Sequence, residues 1–301
     1  MIPYGSNPSR GYHGIKESQR ALSMTAISEA KSSLKRIVLE NNGDTNQQAV
    51  QDALENLQKL SAAERGDAEW KPTQNMSFHT GRWRTISAPL FPGRLLDEED
   101  GNGKAKFSLG RMTFNMFKPT KSVCAVEQIV NIIEPIDETN KGDSEDSSEW
   151  EQSYDVEVLM EISVLGKEYI KLPAKLVNYG TCTPTSSTRL GVKFRGGTMQ
   201  PNFDMTLKEN EALMVAWKET FEGAITKEAD AQSLLGKLAT GATNVLMKVM
   251  MGLEPPVDCT ELTQTYSIKR PIAGHLDILY MDNNLRITKG NRGTIVIVER
   301  I

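Results

Sequence analysis

Residues 274–301 read GHLDILYMDNNLRITKGNRGTIVIVERI, and their reading decides the fold. Three short apolar runs, 276–281, 285–289 and 294–300, are parted by Asp282-Asn283-Asn284 and by Gly290-Asn291-Arg292-Gly293. Asp and Asn tolerate left-handed backbone and bond to their own main chain, and Gly has no steric penalty there. Both breaks therefore have the chemistry of hairpin turns, and the stretch predicts a three-stranded antiparallel meander. Its last strand is almost continuously β-branched. Such a run needs both faces covered, as when a sheet closes on itself or packs against helices.

Upstream, residues 78–203 carry the same period of two. The plainest case begins at Tyr154, where Val156, Val158, Met160, Ile162 and Val164 alternate with Asp155, Glu157, Leu159, Glu161 and Ser163. One face of that strand is dry and the other wet. In 189–195, Leu190, Val192 and Phe194 alternate with Gly191 and Lys193. Further strands are expected over 79–88, 106–117, 123–133, 154–165 and 169–178. With the terminal meander this makes about nine strands, mostly at hairpin spacing, which favours an antiparallel barrel over a parallel sheet. The acidic or Gly-rich stretches 97–106 and 137–151 read as solvated loops.

Two regions have helical periodicity instead. Over 17–65, Leu22, Ala26, Ala30, Leu34, Ile37 and Val38 draw one apolar stripe that stops at Asn41-Asn42-Gly43. Thr45-x-x-Gln48 then reads as a capping box, followed by Val50, Leu54, Leu57 and Leu60 on one face. This helical hairpin is either a clamp on the barrel or a membrane- or partner-facing element; mixed charge on its polar faces favours the clamp. The second region, 207–253, reads as a helical insertion. Leu213, Met214, Trp217 and Phe221 suit one helix; Leu234, Leu235, Leu238, Val245, Leu246, Val249 and Met250 suit another, with a break near Gly241. It is read as packed on the barrel or as an adaptable Met-rich lid. Residues 1–16 are polar and read as an irregular tail, with neither the apolar core of a secretory signal nor a clear organelle presequence.

The totals exclude several functions. A chain of 301 residues with 39% hydrophobic content can bury a full core. A net charge of −4 and a pI near 5.6 give no basic footprint for nucleic acid. Three scattered cysteines build neither a disulfide framework nor a Cys-x-x-Cys metal site. No apolar run reaches the roughly 20 residues of a membrane-spanning helix. No nucleophile elbow, phosphate loop or metal-ligand spacing is present, and no cofactor is expected. His13, His79 and His275 read as structural, although a barrel enzyme using His79 or His275 stays open.

A closed barrel of this size has room for its own side chains or for one small ligand. Phe107, Phe114, Met116, Val158, Met160, Leu190, Val192 and Phe194 are candidates for a cavity wall or, equally, for a filled core. Arg286 stands apart. Between Leu285 and Ile287 it points to the face opposite them, where a buried cation needs Asp277, Asp282 or a ligand oxygen, or else a seat over Trp83.

Two motifs resemble a known family. The run Gly274-x-Leu276-Asp277-x-x-Tyr280-x-Asp282-x-x-Leu285-Arg286-Ile287-x-x-Gly290-Asn291-x-Gly293 resembles the C-terminal signature of the plastid lipid-associated protein (fibrillin) family. Gly81-Arg82-Trp83-Arg84 resembles that family's first barrel strand, whose Gly-x-Trp is shared with lipocalin-type barrels. The resemblance implies an antiparallel lipocalin-like β-barrel over 76–301; with the helical hairpin before it and the helical insertion before the C-terminal meander, which is longer than the family pattern, the expected fold is mainly β (α+β). It further implies binding or carriage of hydrophobic small molecules (lipids, quinones, carotenoids) in a barrel cavity, at plastid membranes, thylakoids or plastoglobules. The expected ligand-binding residues are Arg286, Tyr280, Trp83, Phe107, Phe114, Met160, Val192 and Phe194, with Arg286 or Tyr280 orienting the ligand's polar end. The alternatives are a structural coat protein with a filled barrel and a lipocalin-type barrel enzyme. Without a targeting segment the sequence leaves a cytoplasmic location open.

Overall fold

The computed structural model describes residues 9–66, 68–99, 104–135, 151–164, 167–231, 252–257, 259, 261–271 and 273–301. Two helices, α1 (Ser9–Glu40) and α2 (Gln48–Arg65), come first, followed by the single-turn helix α3 (Met76–His79). The strands are β1 (Gly81–Thr85), β2 (Arg94–Glu99), β3 (Ala105–Ser108), β4 (Val123–Ile133), β5 (Gln152–Ser153), β6 (Asp155–Val164), β7 (Lys167–Ser186) and β8 (Arg189–Pro201), then β9 (Leu253–Glu254), β10 (Gln264–Ile268), β11 (Ala273–Met281), β12 (Leu285–Gly290) and β13 (Ile295–Arg300). A short helix α4 (Leu109–Met112) follows β3, and α5 (Glu211–Ala231) follows β8.

The terminal meander forms as its turns predict, β11 pairing with β12 and β12 with β13. β13 then pairs with β1, setting Arg300 opposite Trp83, and β1 pairs with β4, setting Trp83 opposite Asn131. The ring continues through β6, β7 and β8 and closes where β8 meets β11. The result is a closed, eight-stranded antiparallel barrel with lipocalin-like architecture. Closure leaves these strands no open edge within the ring.

Four ring strands, β4, β6, β7 and β8, overrun the ring at one end. There β4 carries β3, and β3 carries β2, while β8 carries β10 and β10 carries β9. The sheet is thus a barrel at one end and a curved open trough at the other. Inside the ring pack Trp83, Ile133, Tyr154, Cys182, Val192 and Val298. The trough holds a larger core built on Phe107, Val158, Met160, Ile162, Leu172 and Met199, which Trp217 and Phe221 of α5 complete from above.

A third core lies outside the ring. Leu34, Val38, Val50, Leu54 and Leu57 of the helical hairpin pack on Leu285, Ile287 and Ile297 of the meander. This explains the β-branched last strand: Ile295 and Ile297 face the helices, while Val296 and Val298 face the ring interior. Gly43 makes the hairpin turn and clamps it to the barrel. Its φ of 75° suits glycine, its N–H donates to the Val38 carbonyl at 2.8 Å, and its carbonyl accepts from the Ala88 N–H at 2.7 Å.

The structure departs from the sequence reading at several elements. The stretch 106–117 is a strand only to Ser108, because the Leu109 and Gly110 amides turn back to the carbonyls of Ser122 and Thr120. A side chain at Gly110 would come within 2.6 Å of the Thr120 carbonyl oxygen, so the tight reversal needs glycine there. The strand expected over 169–178 is part of the longer β7, and His79 ends α3 instead of opening a strand. The Thr45–Gln48 capping box does not form: Gln47 is the N-cap, without a side-chain bond, and the Thr45 hydroxyl donates to the Ile295 carbonyl. The expected irregular tail is helical from Ser9. The second helix expected near 234–250 lies outside the described residues.

Candidate apolar ligand-binding site

Trp83 is the floor of the ring. It is fully buried, and its indole Nε1 donates to the His79 carbonyl at 2.8 Å. Residues 72–80 run across this end, the Thr73 hydroxyl donating to the Ser186 carbonyl at 2.7 Å and the Gln152 amide to the Thr80 hydroxyl at 2.7 Å. Two guanidinium groups lie over the Trp83 ring. That of Arg300 is 4.2 Å from the ring centroid and donates to the main-chain carbonyls of Asn283 (2.6 Å), Phe78 (2.7 Å) and Thr80. It ties the last strand to the plug by charge-assisted bonds.

Arg286 is the other. Its guanidinium lies 4.9 Å from the Trp83 centroid and 5.9 Å from that of Tyr154, with only 2% of the residue exposed. Its Nε and Nη1 have no hydrogen-bond partner among the described residues. The carboxylates expected to serve it are engaged elsewhere: Asp277 accepts from Arg189 at 2.5 Å, and Asp282 accepts from Lys31 and the Tyr280 hydroxyl, each at 2.7 Å. Burial shifts the neighbouring titratable groups toward their neutral forms. It pushes the Cys182 thiol up to about 12, raises the Tyr154 phenol, and, with the Arg286 cation, pushes the His79 imidazole down to about 4.

Above the ring, where β6, β7 and β8 pass into the trough, lies a cavity of about 400 Å³. Val156, Leu176, Phe194 and Tyr266 line its sheet side; Met112 at the end of α4, and Phe114, Met116 and Phe117 of the loop after it, line it too, with Phe91 and Pro92. The volume falls within the roughly 300–1,000 Å³ of small-molecule sites, and the lining is mainly apolar. Its polar feature is a pair: the Tyr266 hydroxyl donates to Asn178 Oδ1 at 2.7 Å. Burial pushes that phenol up to about 12, so it stays a neutral hydroxyl near neutral pH. Phe114 and Asn115, with φ of 53° and 58°, hold the loop in left-handed backbone beside the cavity. Such conformations in non-glycine residues cost about 1–3 kcal/mol each and collect at functional sites. The Phe114 side chain is 52% exposed and forms the rim.

The residues expected from sequence divide among four places. Phe114 and Phe194 line the cavity, and Phe107 and Met160 pack in the adjoining trough core. Trp83, Val192 and Arg286 are in the ring interior. Tyr280 lies on the opposite side of the wall, packed with the helical hairpin core and bonded to Asp282, so its hydroxyl does not face the ring interior. Sequence reasoning missed Tyr266, Asn178 and Phe117 on the cavity wall, and Arg300 over Trp83. The alternation of Gln264, Tyr266 and Ile268 was the available signal for the missing strand β10.

Among the described residues no cluster of metal-ligating side chains occurs, and no helix is long and apolar enough to cross a membrane. The fold and cavity define a small antiparallel barrel of lipocalin-like form with an apolar pocket beside the ring. Residues 168–299, from β7 into β13, match the family model PAP_fibrillin, the plastid lipid-associated protein (fibrillin) family. Comparisons with curated proteins and with solved structures found no match. The partial family match and the barrel fold are together consistent with a lipid-associated function.

Proposed function

We propose that the protein binds or carries one apolar small molecule, such as a lipid, quinone or carotenoid, in the 400 Å³ cavity beside the ring, at plastid membranes or plastoglobules. The cavity is the observation that carries this reading. Its apolar wall rewards ligand burial by about 25 cal/mol per Å² before ordering costs. The Tyr266–Asn178 pair offers one place for a hydroxyl or carbonyl on the ligand. Below it, Trp83, Tyr154 and Val192 pack inside the ring and give the cavity a firm base.

A coat function is the second reading, favoured by Met205, Leu207 and Val215, which stand exposed at and just before α5. The two are separated by titration with N-phenyl-1-naphthylamine, a neutral apolar fluorophore. Saturable one-to-one binding that is lost in Leu176→Trp, whose indole fills the cavity, supports carriage. Binding unchanged by that substitution, or flotation with vesicles and no saturable site, rejects it.

A further inference from the structure

Among the described residues, the Arg286 cation has no carboxylate partner in the ring interior. Burial lowers its pKa, but a guanidinium keeps its proton in proteins. A buried guanidinium is normally paired with a carboxylate, since desolvation costs several kcal/mol per ion. Among the described residues Nε and Nη1 have no acceptor, and the titratable groups acting on the guanidinium are Tyr154, Cys182 and Arg300. Tyr154 and Cys182 hold their protons, His79 is neutral, and Arg300 is a second cation. Stacking on Trp83 and Tyr154 compensates part of the penalty but supplies no acceptor for the two N–H groups.

The position of this cation relative to the cavity is as telling as its charge. Phe194 lines the cavity and meets Tyr154 edge-on, with centroids 6.3 Å apart, and Tyr154 lies under the Arg286 guanidinium. Val156 also belongs both to the cavity wall and to the ring interior. Two aromatic side chains thus separate the apolar chamber from an unmatched positive charge.

We propose that the ring interior at Arg286 is a receptor for an oxyanion, a carboxylate accepting from Arg286 Nε and Nη1. The observations favour the head of an amphiphile whose chain occupies the cavity, with Phe194 turning aside to admit it. This rests on the cavity reading above and deepens it: the cargo is an anionic amphiphile of the fatty-acid type in preference to a neutral lipid. The same chemistry could be met by a small free carboxylate, and the test separates the two sources. Bidentate pairing of a guanidinium with a carboxylate is short, strong and geometrically selective, so it discriminates sharply against an alcohol of equal chain length.

The test compares hexadecanoate, 1-hexadecanol and acetate by displacement of N-phenyl-1-naphthylamine and by thermal shift, on the wild-type chain and on Arg286→Met. At least ten-fold tighter displacement by hexadecanoate than by hexadecanol, with the preference erased in Arg286→Met, is the expected result. A thermal shift with acetate that disappears in Arg286→Met, without a preference for hexadecanoate, keeps the oxyanion receptor but assigns it to a free anion. Equal displacement by acid and alcohol in the wild type, with no acetate effect, overturns the inference and leaves the cavity reading standing. That comparison needs no variant, so a folding defect in Arg286→Met does not protect the idea. Failure of the fluorophore and both long-chain probes to bind removes the cavity reading, and the amphiphile-head assignment with it.

Discussion

The two arginines over Trp83 should respond in opposite senses to the same substitution. Replacing Arg300 by Met keeps much of the stem's packing but removes donors to the carbonyls of Phe78, Thr80 and Asn283. Hydrogen bonds from charged groups contribute about 1.5–3 kcal/mol each. These lie at a partly exposed edge where freed carbonyls can turn to water, so the summed loss is discounted to about 3 kcal/mol, with the lost ring stacking adding about 1. Replacing Arg286 by Met also removes stacking, about 2 kcal/mol in a desolvated site, but it abolishes a desolvation penalty of several kcal/mol. The ligand-free Arg286→Met protein should therefore be as stable as wild type or up to about 2 kcal/mol more stable. Urea unfolding followed by far-ultraviolet circular dichroism measures both, read as a shift in midpoint at unchanged slope. A loss in Arg286→Met equal to that in Arg300→Met would refute the reasoning, because it would mean that the buried guanidinium is fully compensated in the folded chain.

Two other perturbations test the frame around the site. The His79 imidazole, pushed from 6.5 down to about 4 by burial and by Arg286, binds fewer protons folded than unfolded. Its contribution is complete above pH 6.5 and falls as pH drops to 4, by about 3 kcal/mol in all, and His79→Gln should flatten that part of a stability–pH profile. A slope between pH 6.5 and 4 that the substitution leaves intact would assign it to other groups. Leu57, fully buried in the core beneath the helical hairpin, should cost about 2–5 kcal/mol as Leu57→Ala, measured by urea midpoint. A loss under about 1 kcal/mol would mean that the hairpin contributes little to holding the meander.

The terminal meander was legible because every local signal agreed. Turn chemistry at Asp282-Asn283-Asn284 and at Gly290–Gly293, and a β-branched last strand, all specify hairpin-linked strands with two covered faces. The helical hairpin was legible from its stripes, since Leu34, Leu54 and Leu57 recur at helical spacing and only one side can be dry. Local reading failed at 106–117, where the reversal at Leu109 and Gly110 depends on the carbonyls of Ser122 and Thr120, not on the composition of the stretch itself. It also failed at Tyr280, because the bulge between Ile278 and Tyr280 shifts the side-chain alternation and turns the phenol outward.

The sequence by itself determined that this chain forms antiparallel strands with a helical attachment, and that Arg286 sits on the strand face opposite Leu285 and Ile287. Alternation and turn residues are local properties, and they suffice for that much. Only the tertiary structure decided that four strands overrun the ring, that the cavity therefore opens beside the Trp83 floor instead of above an empty barrel, and that Asp277 and Asp282 are committed to other cations. Strand overrun depends on which partners each half of a long strand finds, and charge pairing depends on which side chains converge across the wall. Both are set by distances between residues far apart in the chain, which no local pattern records.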